Sequence, residues 1–139
     1  MRQKLFISLL LASSAAAQDQ IAFSHKQHAP LKLACISCHN TADKKEAAGF
    51  PALSQCKVCH TEIADRKIPS KRIYRLPDFA FFSHAKHFAA KTQCDQCHGN
   101  VAAKDHIELA QPLKMAFCVD CHKVTKAVTT CNACHELGQ

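Results

Sequence analysis

Bulky aromatic side chains are scarce in this sequence. Its 139 residues include no tryptophan, one tyrosine and eight phenylalanines, one of which lies in the N-terminal leader. The apolar share of 47% includes ten cysteines, so few side chains are available for a conventional hydrophobic core. A chain of this length can form one domain or two very small ones, and small domains with little core need a staple such as disulfides, a metal or a cofactor. We expect the cysteines to supply that staple.

No apolar run at the N-terminus is long enough to span a membrane. The apolar stretch there covers residues 5–12, whereas a transmembrane helix needs about 20 apolar residues. It follows Arg2 and Lys4 and precedes three alanines at positions 15–17, which is the pattern of a secretory signal peptide. We therefore expect residues 1–17 to be a signal peptide. The mature protein is then periplasmic or extracellular, without a membrane anchor.

Alternating apolar and polar runs of useful strand length are absent as well, so the sequence predicts little or no β-sheet. Short helices are expected over residues 41–48, with Thr41 as the cap and Gly49 as the stop, over 56–66 and over 101–110. The predicted fold class is a small protein of mostly short α-helices and irregular loops.

Cysteine and histidine are the abundant reactive residues. The ten cysteines form five Cys-x-x-Cys pairs with none left over, and a histidine follows every pair at once. The cysteines are Cys35, Cys38, Cys56, Cys59, Cys94, Cys97, Cys118, Cys121, Cys131 and Cys134. The histidines that follow them are His39, His60, His98, His122 and His135.

Cys-x-x-Cys-His is the attachment signal for c-type haem, in which two thiols add to the vinyl groups and the histidine binds the iron. Disulfides are the plain alternative in a secreted protein, but they give no reason for the histidines. Zinc ribbons also use paired Cys-x-x-Cys, but five pairs do not divide into twos. Thioredoxin-like chemistry needs one such pair in a βαβ setting, which is absent. We therefore expect five covalently attached haem c groups, which would form most of the core.

Part of the sequence is repeated at a fixed offset. Phe-Ser-His-x-x-His begins at Phe23 and again at Phe82, and each copy is followed by a Cys-x-x-Cys-His run in which every cysteine and histidine is shifted by 59 positions. A constant offset over several unlike residue types is the mark of an internal repeat. The first half holds two Cys-x-x-Cys-His runs and the second half holds three.

The histidines outside the attachment runs match those runs in number. They are His25, His28, His84, His87 and His106. Each iron has one axial position left after its attachment histidine, and methionine is nearly excluded there because only Met115 remains once Met1 leaves with the leader. Histidines three apart on a helical turn share a face, so each pair should reach two different irons. Whether His106 or Met115 completes the last haem stays open.

The Phe-Ser-His-x-x-His segments ahead of Cys-x-x-Cys-His runs resemble the class III cytochromes c, the small multihaem proteins called cytochromes c3 and c7. The resemblance covers essentially the whole mature chain and implies a second axial ligand for each attachment histidine. The implied pairs are His25 with His39, His28 with His60, His84 with His98, His87 with His122, and His106 with His135. It also implies a two-haem half over residues 18–66, a connector over 67–79 and a cytochrome c7-like three-haem module over 80–139.

The resemblance implies a low-potential electron carrier of anaerobic respiration rather than an enzyme. Its expected partners are redox proteins: membrane quinol-linked cytochromes or dehydrogenases, terminal reductases and outer-surface conduits. An alternative is a small reductase of nitrite, hydroxylamine or metal ions, which needs one iron with a free face. Another is a subunit of an extracellular cytochrome filament.

The chain is basic, with a formal charge of +7 that becomes +5 without Arg2 and Lys4. Basicity would normally suggest nucleic acid as a partner, but the haem propionates would offset it, so we expect none. Several of the charges fall in or beside the connector, at Arg66, Lys67, Lys71, Arg72 and Arg75. They form a solvated loop, dock an acidic redox partner or pair with propionates.

Overall fold

The structure, a computed structural model, describes residues 21–68 and 71–136, so the expected signal peptide lies outside the described residues. Within these ranges the chain forms short helices joined by loops. The α-helices are α1 (His25–His28), α2 (Leu53–Lys57), α3 (His84–Ala89), α4 (Asp95–His98), α5 (Met115–Val124) and α6 (Cys131–Cys134). Single 3-10 turns lie at Ala29–Leu31, Cys35–Ser37 and Val101–Ala103.

No strand forms in residues 21–68 and 71–136, where Ala80 and His135 pair in an isolated antiparallel bridge. The predicted fold class of short helices and irregular loops is confirmed. In the same part of the chain, no helix combines the length and the apolar character needed to cross a bilayer.

The repeated Phe-Ser-His segments begin helices in the same way. Ser24 and Ser83 are extended N-cap residues, and their hydroxyl oxygens accept hydrogen bonds from Gln27 N and Lys86 N at 3.2 and 3.3 Å. Serine at this position satisfies a backbone N–H group that has no partner within the helix. The cap therefore fixes where α1 and α3 start, and with it the direction of the two histidines on each helix.

The three helices predicted outside the repeat are wrong. Residues 41–44 form turns, because the Thr41 hydroxyl donates to the Ala47 carbonyl at 2.8 Å and closes a loop instead of capping a helix. In place of the helix expected over 56–66, the chain forms α2, which begins and ends earlier. The Gln55 side chain caps the start of α2 by accepting from the backbone N–H of residue 52 at 2.8 Å.

The segment expected to be a helix over 101–110 keeps only the turn Val101–Ala103. The chain then leaves the helical path at Lys104, and Asp105 contacts Ser24 of the first half. Short helices are marginal without packing, so such side-chain contacts decide whether they form.

A protein core of the usual kind is missing from the described residues. No apolar side chain there is buried, and the buried residue is Ser24, which is 7% exposed. Large apolar side chains are exposed instead, among them Leu31, Leu33, Phe50, Val58, Phe79, Phe81, Phe88, Leu109, Met115, Val124 and Val128. Small soluble domains cannot be stable with so little burial of their own, so these side chains suit a protein whose core is supplied by a bulky cofactor.

Candidate functional site

Eight of the ten histidines lie in four facing pairs, in which the imidazole ring of one histidine lies next to that of the other. The ring planes are inclined by 64° in His28–His60 and by 44° in His87–His122. The ring centroids are separated by 6.4 Å in His25–His39, 6.2 Å in His84–His98, and 6.0 Å in both His28–His60 and His87–His122. These are four of the five pairs that the family resemblance implied. Each pair joins a histidine of helix α1 or α3 to the histidine of a Cys-x-x-Cys-His run.

The spacing of these rings fits a metal ion between them. A bond from an imidazole nitrogen to a metal is about 2 Å long, so two such bonds and the half-width of each ring place the centroids about 6 Å apart. The rings of His25 and His39 are within 10° of parallel, as are those of His84 and His98. The geometry of those two pairs therefore accommodates an iron with one imidazole on each side.

Hydrogen bonds determine which nitrogen of each ring is free to bind a metal. Five histidines place Nδ1 2.6–2.8 Å from a backbone carbonyl oxygen: His28 (Ser24), His39 (Gly49), His84 (Glu46), His87 (Ser83) and His122 (Val128). A carbonyl only accepts, so in each ring the proton is on Nδ1 and the lone pair of Nε2 is available to a metal. Every one of the four pairs contains at least one histidine held in this way.

Burial favours the neutral form of two further rings. It lowers the pKa of His25, with smaller contributions from the charges of His39 and His28. Burial also lowers the pKa of His98, followed by the charges of His84 and His39. A neutral imidazole is the form that binds iron, so both rings are suited to act as ligands at neutral pH.

The two copies of the repeat have matching ring geometry. Phe23 packs edge-on against His25 at 4.8 Å and 87°, and Phe82 does the same to His84 at 4.8 Å and 87°. Each phenylalanine also stacks on the second histidine of its pair, at 4.9 Å and 27° in the first copy and 4.5 Å and 26° in the second. Each phenylalanine therefore lies between the two imidazoles of the helix that follows it and keeps them apart: His25 and His28 in α1, His84 and His87 in α3.

Each Cys-x-x-Cys-His run is wound into one helical turn. The histidine N–H bonds back to the carbonyl of the first cysteine at 2.9–3.0 Å in the runs ending at His39, His60, His98 and His135, and the run ending at His122 lies within α5. Residues three and four apart share a helical face. Both thiols and the imidazole of a run therefore point to one side, which double thioether attachment with axial ligation requires.

The other chemistries considered for the cysteines are not assembled here. All ten cysteines lie in the described ranges and are unpaired thiols. In the part of the chain that the structure describes, no three histidine, cysteine, aspartate or glutamate side chains form a group that could hold a metal ion. The donor set of a zinc ribbon is thus not brought together.

Three of the Cys-x-x-Cys-His runs lie next to one another in space, in the order 56–60, 35–39 and 94–98. The run at 56–60 lies beside the run at 35–39, since Gln55 Nε2 donates to the Ser37 carbonyl at 3.1 Å. The run at 35–39 adjoins the run at 94–98, because Cys35 and Cys94 line one cleft of about 510 Å³. That volume is within the range of cofactor pockets, about 300–1,000 Å³.

The remaining two runs continue this spatial series, and the thiols of neighbouring runs influence one another. Burial, and then the charges of Cys121 and Cys118, raise the pKa of Cys97. Burial, and then the charge of Cys134, raise the pKa of Cys118. The run at 94–98 is next to that at 118–122, because His84 and His87 of helix α3 lie against His98 and His122. The run at 131–135 begins three residues after Val128, whose carbonyl accepts from His122 Nδ1 at 2.6 Å.

Contacts between the halves come from the loop after the first run and from helix α1. His84 N and Ala85 N donate to the carbonyls of Glu46 and Lys45, both at 3.0 Å. On the other side, Lys26 N donates to the Lys104 carbonyl at 3.0 Å. These bonds hold α3 against the first half and bring the runs at 35–39 and 94–98 together.

The fifth implied pair is not brought together. In the described chain, neither His106 nor His135 has another histidine ring against it. His106 is exposed, whereas His135 is half-buried beside the ring of Phe79 at 5.7 Å, and its buried Nδ1 has no hydrogen-bond partner.

Sequence reasoning missed several groups that surround these rings. The backbone carbonyls that receive the histidine Nδ1–H groups carry no side-chain signal, so spacing could not identify them. Tyr74 was also missed, although its ring lies 4.5 Å from that of His98 and its hydroxyl accepts from Ala110 N at 2.8 Å. The signal for it was its rarity, since it is the single tyrosine of the chain.

Comparison with known proteins agrees with this geometry. The sequence model of the family described as Cytochrome c3 matches residues 25–123, which include four of the five Cys-x-x-Cys-His runs. A curated protein of Nitratidesulfovibrio vulgaris, the multiheme cytochrome c subunit of a menaquinone reductase, is 26% identical over 145 residues. That alignment covers 85% of this chain and 68% of the relative.

Proposed function

The chain belongs to the cytochrome c3 family, and on that premise we propose that it is a five-haem c-type cytochrome that carries electrons at low potential in anaerobic respiration. Covalently held haem c supplies one-electron exchange between ferrous and ferric iron. The protein's part is to hold the iron, set its potential and keep the cofactors close together. As a multihaem cytochrome related to a reductase subunit, the chain is suited to electron transfer.

One observation carries the proposal: four facing histidine pairs at 6.0–6.4 Å, each with at least one Nδ1 hydrogen-bonded to a backbone carbonyl. We assign both rings of each pair as axial ligands of one iron. With both axial positions filled, such an iron has no place for a substrate. Histidine on both sides also favours low potential, since methionine is the ligand that raises it.

The spatial series of attachment runs supports a carrier. We propose that five haems are held in the order of the runs at 56–60, 35–39, 94–98, 118–122 and 131–135. Electron transfer between cofactors requires near contact, and each run in this series adjoins the next. The ends of the series are then the places where electrons enter and leave.

We further propose that the protein arose by duplication of a module. The two-haem half spans residues 18–66 and the three-haem module spans 80–139, joined by a connector over 67–79. The matched ring distances and angles around Phe23 and Phe82 support this. The first half would then be a module without its third haem.

The partner we propose is a menaquinol-linked membrane complex, with the cytochrome itself in the periplasm. The relative's name supports this, because that protein is a subunit of a menaquinone reductase. The signal peptide expected over residues 1–17 would direct export, and the exposed basic residues of the connector, such as Arg72 and Arg75, would face an acidic partner.

Single histidine replacements in the haem-loaded protein test the ligand assignment. His28→Ala and its repeat counterpart His87→Ala should each convert one haem of five from low-spin to high-spin, seen by electron paramagnetic resonance of the oxidised protein. The reduced variants should bind carbon monoxide at that one haem. Unchanged spectra in both variants would show that these rings are not ligands and would overturn the proposal.

A further inference from the structure

One loop of the first half supplies hydrogen-bond acceptors to a ligand histidine in each half. The loop spans residues 41–49. Its Gly49 carbonyl accepts from His39 Nδ1 at 2.8 Å, and its Glu46 carbonyl accepts from His84 Nδ1 at 2.7 Å. In the proposed function, on which this inference rests, both rings bind iron. The loop therefore contacts ligands of two different haems.

The loop holds one ring in each of the two near-parallel pairs. His39 faces His25 and His84 faces His98, and the rings of each pair lie within 10° of parallel. Within residues 21–68 and 71–136, neither His25 nor His98 makes a hydrogen bond through a ring nitrogen. In the described chain, the hydrogen bonds that orient these two pairs thus come from the loop.

The other two pairs take acceptors from their own helices. His28 Nδ1 is bonded to the Ser24 carbonyl and His87 Nδ1 to the Ser83 carbonyl, both at 2.8 Å. In these pairs the ring planes are inclined by 64° and 44°. The near-parallel arrangement is therefore found where the loop supplies the acceptor.

The second copy of the repeat has no such loop. The offset of 59 places residues 100–108 opposite it, and the counterpart of Glu46 there is Asp105. The Asp105 side chain accepts from Ser24 Oγ at 2.6 Å. His25, the counterpart of His84, is left without a carbonyl at Nδ1. The bond to His84 therefore depends on the conformation of the first loop and not on the repeat.

Thr41 sets that conformation. Its carbonyl accepts from Lys45 N at 2.8 Å, and its hydroxyl donates to the Ala47 carbonyl at 2.8 Å. Ala47 lies between the two acceptor residues, directly after Glu46 and two positions before Gly49. Removing the hydroxyl frees Ala47, so that both acceptor carbonyls lose their fixed positions.

Hydrogen bonds of this kind control the iron through its ligand. A bond from Nδ1 to a carbonyl orients the ring and makes the imidazole a more basic ligand. A more basic ligand favours ferric over ferrous iron, and hydrogen bonds around the ligands are one of the protein's controls on haem potential. Loss of the bond should therefore raise the potential of the haem concerned.

We propose that Thr41 is a positioning residue for the two haems attached at 35–39 and 94–98. Through the carbonyls of Gly49 and Glu46, its hydroxyl lowers both potentials together. The two runs lie side by side at the junction of the halves. One loop thus keeps the two potentials in step at the place where electrons cross between the halves.

Variants of Thr41 in the haem-loaded protein test this role. Thr41→Val keeps the shape of the side chain without the hydroxyl. It should raise two of the five midpoint potentials and change two of the five low-spin signals in electron paramagnetic resonance of the oxidised protein. Thr41→Ala should give the same two changes, whereas Thr41→Ser keeps the hydroxyl and should resemble the wild type. Thr125→Val is the matched control, since the Thr125 hydroxyl also donates to a backbone carbonyl at 2.8 Å, and it should leave those two haems unchanged.

Two further variants identify the haems that respond. His25→Ala and His84→Ala should each remove the low-spin signal of one of them. Thr41→Val signals that change in one haem or none, or equal changes in Thr41→Ser, would overturn the positioning role even if the free energy of unfolding falls. Loss of haem in both Thr41→Val and Thr41→Ala, counted as the pyridine haemochrome, would show a purely structural role and overturn it as well. Fewer than five haems in the wild type, or unchanged spin states in both histidine variants, would instead overturn the proposed function.

Discussion

Ser24 and Ser83 cap their helices in matching ways, so replacing each with alanine separates two contributions to stability. The capping distances are 3.2 Å to Gln27 N and 3.3 Å to Lys86 N. Loss of such a cap costs about 1 kcal/mol, or about 4 °C in Tm for a domain of this size. We expect both Ser24→Ala and Ser83→Ala to show at least this loss.

Ser24 has a second partner, because its hydroxyl donates to Asp105 Oδ1 at 2.6 Å. We therefore expect Ser24→Ala to be the more destabilising of the two. The hydrogen bond from Ser24, and then the charge of Lys26, lower the pKa of Asp105 below its ordinary value of 3.8. A carboxyl with a lowered pKa in the folded state stabilises the fold fully above its unfolded pKa, and that contribution is lost as the pH falls through the folded pKa.

Denaturant unfolding of the haem-loaded protein, followed by far-ultraviolet circular dichroism, measures both effects. At neutral pH the free energy of unfolding should be lower for Ser24→Ala than for Ser83→Ala. The difference between the variants should shrink on acidification below about pH 4. Equal stabilities at neutral pH, or a difference that grows as the pH falls, would refute the role of the Ser24–Asp105 contact.

Three other replacements test the surroundings of the rings. Gly49→Ala should lower the free energy of unfolding by at least about 1 kcal/mol, because Gly49 has φ +74° and a Cβ there would lie 2.7 Å from Thr41 Oγ1. It should also shift the paramagnetic signal of one haem, because the Gly49 carbonyl accepts from His39 Nδ1. An unchanged spectrum would count against that hydrogen bond. Tyr74→Phe removes the acceptor of Ala110 N and should cost about 1 kcal/mol in the same unfolding assay, and no loss would show that water replaces the hydroxyl. Phe82→Leu should lower the free energy of unfolding by about 1 kcal/mol through lost ring packing. A more stable variant would contradict the packing of Phe82 between two imidazoles at 4.5 and 4.8 Å.

Local spacing made much of this arrangement predictable. A Cys-x-x-Cys-His run fits one helical turn, and Phe-Ser-His-x-x-His fits a capped turn with two histidines on one face, so both could be inferred from residue order alone. The partners His39, His60, His98 and His122 could be proposed only through the resemblance to a family, because nothing in the spacing of His25 or His28 specifies a distant ring.

The rest depended on contacts between distant residues. The helix expected over 41–48 did not form, because the Thr41 hydroxyl found the Ala47 carbonyl. His106 was expected near His135, but the contact of Asp105 with Ser24 holds that segment against the first half. Neither contact has a signature in the sequence, since each joins a side chain to a group that only the folded loops bring near.

The number of covalently attached haems per chain is the most direct test of the account. Intact-mass measurement of the exported protein gives it in one experiment and also reports where the chain begins. Five haems on a chain that starts near Gln18 is the predicted result. A mass equal to that of the bare polypeptide, or one with fewer attached haems than the five Cys-x-x-Cys-His runs, would contradict it.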